Sequence, residues 1–386
     1  MTVTTAISHP SIWIRSPGYD LALVMGGTLF TLALAGAVTV NPILLPIFFW
    51  IWVVGFEGSH FWATFSRTYI DRVFRHENAD VLRRSLIFFV LPIAAVFADN
   101  GLSTTLATTL YGFFIFLWSL YHNARQHYGF VSIYVKKAGM EQSLSSRYRS
   151  LIYWAVGATQ VYFALNFKTQ VAFAGAPKPA EVSTLVGLVL EYGPIVVSTL
   201  AGLYLLGLAA KTYASHGKKA LVPALYVATC LIFYSTMFYV IAPCEPFFSA
   251  HTNGAQLFML IAIMNSLFHN IQYHAIVWHY ANRRYSQEQH AEGIYGLAQW
   301  VNGRAITYML VALALGAAFG AIVWNMGDWP SWTGNFAASP FNAFAYVLYF
   351  GIVGHHFYLD QYIWRPSKQP ELRRYLDLRP QEAKLA

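Results

Sequence analysis

Residues 104–130 read TTLATTLYGFFIFLWSLYHNARQHYGF. The part from 104 to 121 contains no Asp, Glu, Lys or Arg. A helix on the surface of a soluble protein keeps a polar stripe, and this one keeps none. Its length is that of a lipid crossing, which takes about 20 mostly apolar residues. His122, Arg125 and His127 then follow at one end.

The same ruler, moved outward, finds further segments near 19–39, 42–65, 85–98, 150–167, 184–210, 220–242, 253–280, 304–325 and 340–363. With 104–130 these make about ten crossings by the length criterion. Composition agrees: of 386 residues 56% are hydrophobic and 11% charged, where a soluble domain carries about a quarter charged residues. The expected fold is an all-α polytopic membrane helix bundle. It forms a single transmembrane domain over 1–386, in which 366–386 is a cytoplasmic tail. The first 18 residues lack the apolar core of a signal peptide, so the first hydrophobic run is expected to remain as a spanning helix.

The net charge of +8 does not point to nucleic acid, because the basic residues sit in short clusters between apolar runs. Arg67, Arg72, Arg75, Arg83 and Arg84 form one cluster, Lys136, Lys137, Arg147 and Arg149 another, and Arg283 and Arg284 a third. The intervening connections around Asn41 and 99–103 carry no Lys or Arg; Lys168 and Lys178, in another connection, are exceptions. Basic loops are retained on the cytoplasmic side, so both termini are expected there, in the inner membrane if the source is bacterial. Two cysteines, Cys230 and Cys244, cannot form a disulfide framework or a four-thiolate metal site.

The histidines are grouped: His60; His122 and His127; His269, His274 and His279; His355 and His356. Each group lies toward the end of a span running in the same direction, which brings them to one depth. Ionisable groups at that depth face a bundle interior or a wet cavity with partners, and neutral imidazole is the commonest nitrogen ligand. A two-metal site is therefore expected from His60, His122, His127, His269, His274, His355 and His356. Asp360, four residues after His356, shares its helical face, and Glu57 precedes His60 in Glu-x-x-His spacing.

An internal echo supports the grouping: Ser119-Leu120-Tyr121-His122-Asn123 with His127 recurs as Ser266-Leu267-Phe268-His269-Asn270 with His274. A spacing of five separates two side chains by about 140° on a regular helix. Either a π-bulge unites each pair, or its members serve different sides of a cavity. Asn123, Gln126, Asn270, Gln272 and Arg125 are expected to orient the ligand rings or to meet a substrate anion. His9, His76, His216 and His290 read as solvated, and His251 with Cys244 and Glu245 as an unrelated loop.

On the His122-Asn123-x-x-x-His127 and His269-Asn270-x-x-x-His274 pairs, with His60 and His355-His356 plus Asp360, the chain resembles the histidine-rich integral membrane di-iron enzymes. These are the desaturases, hydroxylases and carotene oxygenases. The sequence contains no His-x-x-His-His box. The resemblance implies two iron ions, activation of dioxygen, and an oxidoreductase acting on a lipid-soluble substrate such as an acyl chain, sterol or carotenoid. It also implies a separate electron-donor protein, since no flavin or nicotinamide motif is present. Zinc or haem are alternative occupants, and a haem-binding membrane protein or a metal-ion transporter are the alternative functions.

Overall fold

The computed structural model describes residues 11–165, 185–241, 254–287, 293–325, 340–366 and 368–378. All regular structure among the described residues is helical, as lipid demands of a backbone that must satisfy its own hydrogen bonds. We label the main helices α1 (Gly27–Val40), α2 (Leu44–Trp52), α3 (Gly58–Thr68), α4 (Ile87–Leu102), α5 (Leu106–Lys137) and α6 (Gln142–Phe163), then α7 (Leu185–His216), α8 (Leu221–Ser235), α9 (Gly254–Gln287), α10 (Ala305–Trp324) and α11 (Pro340–Ile363). A π-helical turn, Val53–Glu57, joins α2 to α3, and another, Asp20–Met25, precedes α1.

Among the described residues four helical runs are long and apolar enough to cross a membrane: Leu44–Thr68, Ala79–Leu102, Leu185–Ile241 and Ala305–Trp324. The bent pair Pro17–Met25 with Gly27–Val40 makes a fifth candidate. The expectation of about ten is thus met only in part. The helices that fall short by this measure include α5, α9 and α11, whose His, Asn, Arg and Asp side chains lower their apolarity. The run Leu185–Ile241 is not one rod, for Gly217 at φ +58° breaks it. Tyr239 Oη donates to Ser198 Oγ at 2.5 Å, and a Cβ on Gly202 would touch Leu231 at 3.6 Å. Residues 41 apart therefore meet across a hairpin of α7 and α8.

Outer faces are apolar: Leu29 is 74% exposed, Phe97 72% and Trp324 71%. Such side chains, repeated on several helices, suit lipid rather than water. Inside, small residues allow close approach, as in membrane bundles generally. A Cβ on Gly316 of α10 would lie 1.9 Å from the Val54 carbonyl oxygen, and one on Gly58 would lie 2.8 Å from the Gly316 Cα. The backbones of α3 and α10 therefore touch beside the π-turn. Gly351 and Gly354 of α11 likewise admit Phe89 and Phe88 of α4.

The segment after α11 folds back onto the bundle. In the helix Glu371–Tyr375, Leu372 and Tyr375 are buried, Lys137 Nζ donates to the Leu376 carbonyl at 3.1 Å, and Arg283 pairs with Asp377. This part of the expected tail is packed against α5 and α9.

Candidate metal centre

Four helices contribute one imidazole each to a single buried cluster: His60 from α3, His122 from α5, His269 from α9 and His356 from α11. One ring nitrogen of each lies within 4.8 Å of all the others, and these four can hold a metal ion. His60 Nε2 is 2.7 Å from His356 Nε2 and 3.3 Å from His269 Nε2. Ring centroids of His122 are 4.8 Å from His269 and 5.2 Å from His356. All four side chains are buried.

Asp360 stands at the edge of the cluster. Its Oδ2 is 3.7 Å from His356 Nε2 and 3.8 Å from His122 Nε2. Its Oδ1 accepts from Thr64 Oγ1 at 2.7 Å and from Tyr273 Oη at 2.5 Å. Thr64 Oγ1 also lies 2.8 Å from His356 Nδ1. A hydroxyl has one proton to give. With it directed at Asp360, the Thr64 oxygen accepts from His356 Nδ1–H, which leaves the Nε2 lone pair of His356 facing the cluster, where His60 Nε2 lies 2.7 Å away. Partners of this kind are what fix a metal-binding histidine's tautomer and orientation.

The donor set fits a cation better than it fits its own hydrogen bonds. Among the described residues, His122 Nε2, His60 Nδ1 and His269 Nδ1 are buried with no hydrogen-bond partner, and buried polar atoms are rarely left so. Lone pairs converging from neutral imidazoles repel one another unless a cation sits among them. Metal–nitrogen bonds of about 2.0–2.1 Å put neighbouring ligand nitrogens roughly 3 Å apart and opposite ones about 4 Å apart; the four nitrogens lie within 4.8 Å of one another, so ligation would draw the rings slightly together. A porphyrin does not fit, because the four rings pack on one another and leave no flat gap between a facing pair.

The remaining expected ligands point elsewhere. His127 lies between Tyr226 Oη and Tyr234 Oη, each at 2.8 Å. His274 meets Ser59 Oγ and Tyr308 Oη, each at 3.0 Å. No π-bulge interrupts α5 or α9, so the members of each pair face different sides of their helix. His355 bonds Tyr69 Oη at 2.8 Å, a direction about 100° round the helix from His356. Glu57 accepts from Ser266 Oγ and, at 2.8 Å, from Asn270 Nδ2. The single layer expected for two metals, seven histidines with Glu57 and Asp360, is thus four imidazoles at one point with Asp360 at the edge, and the others are tied to neighbouring helices. His279 is buried outside the cluster, and His9, His251, Cys244, Glu245 and His290 lie outside the described residues.

The expected orienting residues also separate. Gln126 donates to the His269 carbonyl at 2.9 Å and to Gln272 at 3.1 Å, and Gln272 donates to Val24 O and Tyr226 Oη. These bonds join α5, α9, α8 and the first π-turn around the cluster. Asn123 faces a small cavity of about 110 Å³ that also reaches Glu57, His60 and His269. Arg125 faces a larger cavity of about 610 Å³ that reaches His122 and Asp360 from the other side. The cluster therefore forms part of the wall of two cavities.

Thr64 and Tyr273 are the site residues that sequence reasoning missed. Each follows a cluster histidine by four residues, His60 and His269, as Asp360 follows His356 and Gln126 follows His122. A search for polar residues one helical turn after each candidate ligand finds all four. Arg67, also beside the site, is buried and stacked between the rings of Tyr280 at 3.9 Å and Trp364 at 4.3 Å.

Comparison with protein-family models, with curated proteins and with solved structures returns no match.

Proposed function

We propose that the protein is a membrane-embedded oxidoreductase that uses a single iron ion, held by His60, His122, His269 and His356 with Asp360 at its edge, to oxidise a lipid-soluble substrate. The observation that carries this reading is the convergence of four buried imidazoles on one point beside two cavities. Four imidazoles with a carboxylate beside them would hold an iron ion, whose chemistry this donor set suits. Zinc enzymes keep three protein ligands and an open fourth position, so four imidazoles are more than zinc catalysis needs. Bound iron would supply dioxygen activation, and the protein would set its geometry and exclude water. Thr64 and Tyr273 hold Asp360, Thr64 holds His356, and the aromatic walls exclude water from the reacting position. Electrons come from a separate donor at the basic face. The reading places about ten crossings in the bilayer with both termini cytoplasmic; the basic residues of the 136–149 and 283–284 connections support that orientation.

The test is metal analysis of protein purified in detergent, with electron paramagnetic resonance to identify the ion. One iron per chain is expected. His60→Ala, His122→Ala, His269→Ala and His356→Ala should each lose it, while His274→Ala and His355→Ala should keep it. Two irons per chain would refute the single-ion site, zinc alone would refute the redox chemistry, and a Soret band would restore haem. Metal uptake by proteoliposomes would favour a transporter instead.

A further inference from the structure

The larger cavity has a charge pattern that the metal centre does not require. Arg125, Lys136, Arg149 and Arg365 line it, and among the described residues its one lining carboxylate is Asp360, whose Oδ1 is already engaged by Thr64 and Tyr273. Among the described residues none of the four cations lies in an ion pair. Positive charge beside a spanning helix ordinarily serves topology and meets lipid headgroups at the outer surface. These four instead line one half-open cavity that continues inward to His122, with Arg149 and Arg365 exposed at its outer part. Its walls are aromatic and apolar between the cations: Tyr121, Tyr128, Tyr153 and Trp364, with Ile276 and Leu376. Tyr121 and Tyr153 are stacked at 5.9 Å, and the Arg149 guanidinium lies 5.6 Å from the Tyr128 ring.

Position along α5 gives the scale. Arg125 stands one turn, about 4.5 Å of rise, beyond His122, and Lys136 about 16 Å beyond Arg125. An occupant can therefore place an anion on Arg125 and keep an apolar part within several bonds of the cluster. A guanidinium fork matches carboxylate and phosphate oxygens.

Resting on the proposed metal site, we infer that the substrate is an acidic amphiphile. It carries a carboxylate or phosphate monoester bound by Arg125 and Arg149, with its apolar part against the tyrosines and reaching His122 and Asp360. This narrows the lipid-soluble substrates to those with a free acid group, and leaves out sterols and carotenoids, which have none. Lys136 and Arg365 draw the anion to the mouth of the cavity.

The test is ligand-induced thermal stabilisation of the full chain in nanodiscs of zwitterionic lipid. Oleate and oleyl phosphate are expected to raise the Tm, and oleyl alcohol and inorganic phosphate are not. Arg125→Gln and Arg149→Gln should each weaken oleate at least tenfold without changing iron content. Arg149 is exposed, so its variant remains informative if the Arg125 variant fails to fold. Equal stabilisation by oleyl alcohol, or unaltered oleate affinity in both variants, overturns the inference. Displacement of oleate by inorganic phosphate or by a diacyl phosphatidylglycerol at similar concentration also overturns it, showing a free-anion or a structural headgroup site. His356→Ala separates the two readings: loss of iron with retained oleate binding is expected. Retained iron there would overturn the metal site alone, and lost oleate binding there would overturn the cavity's independence from it.

Discussion

Replacing Gly316 by Ala tests whether the contact between α10 and the π-turn positions the metal centre. The new Cβ would sit 1.9 Å from the Val54 carbonyl oxygen and 3.3 Å from the Ser59 amide nitrogen. An ordinary carbon–oxygen contact is about 3.4 Å, so the backbones must separate by roughly 1.5 Å. Overpacking of this kind costs about 1–3 kcal/mol when side chains yield, and here the obstacle is backbone. Val54 lies six residues before His60, so much of the shift reaches α3 and draws His60 away from His356 and His269. A productive site tolerates about 0.5 Å, and a metal–ligand bond does not survive an ångström of stretch. The Gly316→Ala protein should therefore bind iron at least tenfold more weakly and unfold at lower temperature in detergent. Gly207→Ala is the control, since among the described residues nothing lies within 4 Å of its added Cβ; helix propensity there favours Ala by about 1 kcal/mol. Full iron occupancy and an unchanged Tm in Gly316→Ala would refute the positioning argument.

Three further outcomes follow from the same geometry. His127→Ala should keep its iron but lose about 2–5 kcal/mol of stability in denaturant titration, because it opens a cavity and leaves the Tyr234 hydroxyl unpaired; loss of iron would place His127 among the ligands. Asp360→Asn retains an oxygen for Thr64 and Tyr273 but not the charge, and should weaken iron about 10–100-fold against a competing chelator; unchanged affinity would make the carboxylate purely structural. Burial pushes the Asp377 carboxyl up, but the hydrogen bond and charge of Arg283 outweigh it and hold it below the usual range. A depressed carboxyl stabilises above its unfolded value of about 4 and loses that contribution as pH falls through the lower folded value. Limited proteolysis of 368–378 should therefore accelerate below about pH 4 and be flat from pH 5 to 8; acceleration with rising pH would contradict the sign.

The helical class was legible because long uncharged runs permit little else in lipid. The crossing count was less so, because the helices that carry the site buy their chemistry with lost apolarity. Four of the expected ligands meet, and the echo of His122 in His269 marked two of them. Spacing alone left open whether His127 and His274 joined their partners; the unbroken α5 and α9 turn them about 140° away. His355 and His356 cannot both face one point, and the Asp360 spacing already distinguished His356. Thr64 and Tyr273 carried no signal of their own, since Thr and Tyr are unremarkable in apolar helices, and became visible only in relation to a ligand one turn earlier. The docking of residues 371–378 depends on tertiary contacts with Lys137 and Arg283 that no local pattern announces.

The divided histidine pairs have a mechanical meaning. In α5 and α9 alike, one imidazole reaches the shared centre while its mate grips a tyrosine hydroxyl on another helix. Rolling either helix about its axis would release both grips together. Each helix is thus keyed at two bearings, and these add to the bonds of Gln126, Asn270 and Gln272 in keeping the rings on their aim.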